Sequence, residues 1–228
     1  MSAKAYYQLA DPFYLDQSFT TKAIDALQLF LSKNPESDYK EESNKMLDNL
    51  RERLAKKAFE QAELYYNIGY YKAAVEAFTV MVNEYPDSKF REQAQFYLVK
   101  SSYALAGASI DRRKMDRYKE TLKYQKRFKL KFPDSEYAQD SETIAENTNR
   151  EIEALKTKAK EEKEQQLYSQ IKNDLQIAMR SNDQEEVSEK YESAVAMYNE
   201  LKEDYPSSRR ISEVAKMFEK VNKLQDDK

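Results

Sequence analysis

The chain has 228 residues, 38 Lys and Arg against 41 Asp and Glu, a formal charge of −3, and only 2 Gly and 5 Pro. So few turn-forming residues exclude a protein built from many tight strand hairpins and favour helices joined by a handful of Pro-marked turns. The absence of His and Cys removes histidine bases, thiol nucleophiles, disulfides and the usual zinc or haem ligands, so neither a metal nor a cofactor is expected.

In chain order, apolar periodicity predicts a short helix over residues 1–10, a loop over 11–18 and a helix over 19–33. A long helix follows over 37–67, with its partner over 70–84. A third pair takes 88–106 and 117–131, parted by an insertion from Gly107 to Asp116. From Ser135 the helical pattern runs to Arg180, with Lys156 to Gln166 too hydrophilic to be packed all round. Helices over 184–204 and 208–225 form a last pair, ahead of a polar end, Asp226 to Lys228. The expected division is 1–134 as repeats, 135–180 as a charged connecting helix and 181–228 as a C-terminal helical pair. No stretch reaches the roughly 18 apolar residues that span a bilayer, and MSAKAYYQLADPF lacks an export-signal pattern. Because Ala3 to Ala10 reads as the end of a helix, an excised fragment with an added Met and a lost export signal is expected.

Four strings recur: Asn34 to Tyr39, Tyr85 to Phe90, Phe132 to Tyr137 and Tyr205 to Arg210, each with Pro second. The proline disfavours helix in the residue before it, and the Asp or Ser that follows caps the next helix. Twelve residues before the prolines stand Ala23, Ala74, Thr121 and Ala194, and fifteen before stand Thr20, Tyr71, Tyr118 and Tyr191. Eight or nine before lie Leu27, Phe78, Tyr124 and Tyr198. Small and large positions recurring on one helical face define repeat architecture, in which each helical pair buries its stripe against the next. Between Leu54 and Pro86 the order Ala62, Tyr65, Ala74, Phe78, Pro86 follows the tetratricopeptide pattern. The predicted fold is therefore all-α, a tetratricopeptide-type solenoid of helical hairpins with long helices.

The stretches YLDQSFTTKAIDALQLFLSKNPES, RLAKKAFEQAELYYNIGYYKAAVEAF and VNEYPDSKFREQAQFYLVKSSYALA resemble the BamD-like family of tetratricopeptide lipoproteins, in a Bacteroidetes-like version. The string Arg53-Leu54-Ala55-Lys56, followed by Tyr65, Tyr66 and Gly69, is the more specific part, and the resemblance covers Ala5 to Leu155. It implies the C-terminal half of such a protein, without two upstream repeats and the acylated Cys. It further implies a non-catalytic scaffold of the outer-membrane β-barrel assembly machinery at the periplasmic face of that membrane. Its implied partners are the POTRA domains of the barrel insertase and accessory lipoproteins, and its implied membrane contact is a lipid anchor on the full-length protein. A generic periplasmic tetratricopeptide adaptor for another envelope complex would show the same helices.

Paired carboxylates at Glu161, Glu162 and Glu164 or at Asp183, Glu185 and Glu186 sit in polar segments where nothing raises a pKa, so the solvated-face reading is preferred to an acid–base pair. Tyr65, Phe78, Tyr118 and Tyr198 are expected in the core. Lys56, Phe59, Glu63 and Tyr66 fall on the template face that lines a solenoid's inner groove, and both groove and core readings stand for them. Arg112 to Lys131 is strongly basic, whereas 134–166 is acidic. Lys123, Lys126 and Arg127 are accordingly either a solvated face or a surface that steers an acidic partner. Nucleic acid is not expected of a chain that is acidic as a whole. Pro12, Phe13, Tyr14 and Leu15 either close the N-terminal end or pack on repeats upstream.

Overall fold

Residues 2–226 are described by the computed structural model, and among them nine helices and no strand occur. In order these are α1 (Ala3–Leu9), α2 (Ser18–Lys33), α3 (Lys40–Asn67), α4 (Tyr71–Glu84), α5 (Arg91–Gly107), α6 (Asp111–Lys131), α7 (Ala138–Arg180), α8 (Gln184–Asp204) and α9 (Arg210–Asp226). The fold is all-α and of the tetratricopeptide type, as the sequence predicts.

The four Pro strings form one turn repeated four times. Asn34, Tyr85, Phe132 and Tyr205 leave their helices with φ between −121° and −134° and ψ between 55° and 66°, outside the α region that a following proline disfavours. The serine two residues past each proline, Ser37, Ser88, Ser135 or Ser208, accepts at 3.0–3.2 Å from the N–H two residues further on. The serine thus closes a local turn that leads into the following helix, while Asp38, Asp87 and Asp134 stay exposed. Two of the serines also donate back to a long helix, Ser88 to Glu52 at 3.3 Å and Ser208 to Glu164 at 2.6 Å.

The small positions named from the sequence have no accessible surface: Ala23, Ala74, Thr121 and Ala194 are each 0% exposed. Phe78 and Tyr118 are buried, and Tyr65 and Tyr198 are half-buried against the core. A second register runs forward from each proline. Ser43, Ala94, Ser141 and Val214 are buried eight residues after it, and Leu50, Ser101, Thr148 and Val221 fifteen after it.

One sequence expectation is corrected. The insertion from Gly107 to Asp116 shrinks to residues 108–110, because α6 begins at Asp111. Ile110 is extended (φ −66°, ψ 148°) and its carbonyl accepts from Arg113 N–H at 2.9 Å, which starts the helix. Asp111 then places its carboxylate in the positive first turn. The short loop is closed by Ser109, which donates to the Leu105 carbonyl, and by the Arg117 guanidinium, which donates to Ser109.

The chain divides into two compact units, Met1–Ile152 and Glu153–Lys228. In the first, Leu27, Leu47 and Leu50 form one core cluster, Phe59, Phe78 and Met81 a second, and Phe96, Val99 and Phe128 a third. The second unit buries Leu167, Ile171, Leu175, Leu201, Val214 and Val221. Within α7, residues 156–166 are exposed apart from half-buried Glu164.

Candidate functional site

Four of the residues singled out in the sequence lie on α3, at spacings of three and four that put them on one face. Phe59 is 5% exposed, and its ring packs 5.7 Å from Phe90 and Tyr97 and 5.8 Å from Phe78. Of the two readings left open for it, the structure gives the core. Tyr66 is half-buried, edge-on to Tyr97 at 5.8 Å. Burial first, and then the Glu63 carboxylate near its hydroxyl, push Tyr97 up to about 12 from an ordinary 10.0. Over these rings lies Lys100 of α5, its Nζ 4.6 Å from the Tyr97 centroid and 5.2 Å from that of Tyr66. A cation so placed is held by the ring quadrupoles while its charge stays open to an incoming group.

Tyr97 and Lys100 were not singled out from the sequence. Helix α5 carries no amphipathic stripe, because it is packed on both sides: Phe96 stacks at 4.6 Å on Tyr137, and Tyr97 faces α3. The adjacent Phe96-Tyr97 pair in a helix without a polar face was the available signal.

Lys56, one turn before Phe59, is not part of this cluster and lies 4.0 Å above the Phe13 ring and 3.8 Å from Glu60. Arg53 donates to the Ala10 carbonyl at 3.0 Å and Lys57 to that of Leu15 at 2.6 Å. Basic residues of α3 thus tie down the loop between α1 and α2. In that loop Asp16 accepts from Ser18 N–H at 2.9 Å, and its contacts with Ser18 hold the carboxyl below its ordinary range.

The other three singled-out residues stand on α6 and not beside the α3 set. Lys123 pairs with Glu120 at 2.8 Å, whereas exposed Lys126 and Arg127 have no ion-pair partner among the described residues. The carboxylate clusters are engaged in structural contacts. Glu162 pairs with Lys158, Asp183 caps α8 through Glu185 N–H, and Glu186 accepts from Ser181. Among the described residues no group of three or more acids could hold a metal ion.

Residues 1–118, α1 through the start of α6, match the family model of YfiO, described as an outer membrane lipoprotein. The chain belongs to the YfiO family. No curated protein is a significant match. In this YfiO-family chain the Glu63–Tyr66–Tyr97–Lys100 cluster lies within the matched span, whereas Lys123, Lys126, Arg127 and the unit Glu153–Lys228 lie past it. Among the described residues no helix is long and apolar enough to cross a membrane.

Proposed function

We propose that this chain is a non-catalytic scaffold subunit of the outer-membrane β-barrel assembly machinery, of a Bacteroidetes-like kind. It docks the POTRA domains of the barrel insertase and accessory lipoproteins at the periplasmic face of the membrane, where a lipid anchor of the full-length protein holds it. The observation that carries the reading is the family membership of residues 1–118. Stacked helical hairpins supply a long surface for docking without a reaction centre. Two parts of it suit a protein partner: the cation-over-aromatic cluster of Glu63, Tyr66, Tyr97 and Lys100, and the open charges of Lys126 and Arg127 with Lys123 beside them. In this reading residues 135–180 are a charged connecting helix and 181–228 a C-terminal helical pair.

Binding of the 228-residue chain to the POTRA array of the insertase from its own cell tests this reading. Lys126→Glu with Arg127→Glu should leave the melting midpoint unchanged and weaken binding roughly tenfold at low salt, with the difference shrinking as salt screens it. An array that does not bind the unaltered chain would sink the reading and favour an adaptor of another envelope complex.

A further inference from the structure

The two ends of the first unit differ in chemistry. Helices α1 to α6 pack on one another in chain order, so alternate loops share an end: residues 10–17, 68–70 and 108–110 at one, the Pro turns at the other. Loops 68–70 and 108–110 hold no charged residue and residues 10–17 hold Asp11 and Asp16, whereas the Pro turns carry Glu36 and Asp38, Asp87 and Lys89, and Asp134 and Glu136. At the end formed by residues 10–17, 68–70 and 108–110, Tyr14, Leu15, Leu64, Ile68, Tyr70 and Ile110 are between 47% and 68% exposed. Two open clefts join these tips, one of about 580 Å³ between Tyr14 and Leu64 and one of about 440 Å³ between Tyr70 and Ala108. Charged residues stand close to two of the tips: Lys72, 77% exposed along its side chain and 3.9 Å from Glu76, lies two residues after Tyr70, and exposed Asp111, Arg112 and Arg113 follow Ile110 in turn.

We infer that this end of the unit rests on a lipid bilayer surface, with its apolar tips dipping among the headgroups. Separate apolar points on neighbouring loops, with Lys72 near Tyr70 and Arg112 and Arg113 near Ile110, suit the boundary between the headgroups and the acyl chains. A docked protein instead needs a continuous complementary patch of roughly 800 Å² per partner. Tyrosine serves at such a boundary because its ring is apolar and its hydroxyl is wet. Membership of an outer membrane lipoprotein family places a bilayer within reach. The inference rests on that membership and not on POTRA docking.

The chain has no Trp, so Tyr70→Trp creates a single indole reporter. With vesicles of phosphatidylethanolamine and a minority of phosphatidylglycerol, its emission should shift to the blue and be quenched by brominated acyl chains. Flotation of the native chain with the same vesicles should fall about tenfold or more in Ile68→Ser/Tyr70→Ser/Ile110→Ser, each tenfold being about 1.4 kcal/mol. Leu130→Ser, which removes an apolar group 74% exposed near the opposite end, should float as before. An indole that does not respond to vesicles overturns the inference. So does a blue shift that grows with protein concentration without lipid, which would mean a second copy covers the tips. So does flotation lost in Lys126→Glu/Arg127→Glu but kept in the triple variant, which would give lipid contact to the basic face of α6.

Discussion

Ala74 has no accessible surface and stands twelve residues before Pro86, the place that Ala23, Thr121 and Ala194 take before their own prolines. It lies in one cluster with Phe59, Phe78 and Met81, so extra methylenes there have nowhere to go. Ala74→Leu should lower stability by about 1–3 kcal/mol, read as a fall in urea midpoint at unchanged slope. An unaltered midpoint would contradict the register. These small positions are legible because proline fixes the count and a small residue is needed at the close approach of two helices. The large positions are less so. Tyr124 reads as the large residue of α6, yet Gln125, 7% exposed, occupies the place eight before Pro133. Its amide donates to Glu142 at 3.3 Å, and nearby Ser102 and Thr121 share a hydrogen bond at 2.9 Å. A polar side chain buried because its partner comes from a distant helix carries no local mark in the sequence.

Turns separate the two glycines by role. Gly69 joins α3 to α4 at φ +82°, a left-handed conformation that costs a residue with a Cβ, whatever the free space around it. Gly107 ends α5 with an ordinary φ, and a Cβ there would meet only the Tyr118 hydroxyl at 3.7 Å. Gly69→Ala should therefore lower stability by about 1 kcal/mol, whereas Gly107→Ala should leave it level or raise it by up to about 1 kcal/mol. Thermal melts that move alike in the two variants would contradict the assignment. Helix existence was legible throughout, because period and proline agree; the start of α6 was not. Arg112, Arg113 and Lys114 look like a solvated insertion, and what makes them helical is a loop closed by Ser109 and Arg117. The aromatic cluster between α3 and α5 was half legible for a similar reason. Glu63 and Tyr66 follow from α3 alone, but Tyr97 and Lys100 sit on a helix without an apolar stripe to orient it.

Across the whole molecule both tyrosine and lysine respond to pH in the alkaline range: Lys163, hydrogen-bonded to Asp204 and Glu200, and Lys190, hydrogen-bonded to Glu189, are raised above the ordinary lysine value in the second unit, and tyrosines are raised in both. Tyr66, Tyr85, Tyr97, Tyr118 and Tyr137 in the first unit and Tyr168 in the second are all raised above the ordinary 10.0. Burial is the leading cause for the first five, and for Tyr168 it is the hydrogen bond to Glu213, at 2.9 Å. A raised tyrosine keeps its proton in the folded state when the unfolded chain has already lost it. The folded state therefore binds more protons above pH 10, and stability must fall as pH rises. Below pH 10 both states are protonated and these groups add no slope. The loss should extend furthest for Tyr97, which titrates near 12. Urea midpoints followed by circular dichroism should accordingly be flat in this respect up to about pH 10 and fall beyond it. Tyr97→Phe removes the group raised furthest among these tyrosines, so it should flatten the alkaline fall. Midpoints that stay level through pH 11 would mean that these rings are open to water in solution, and with that the packed aromatic seam between α3 and α5 would be lost as a docking face.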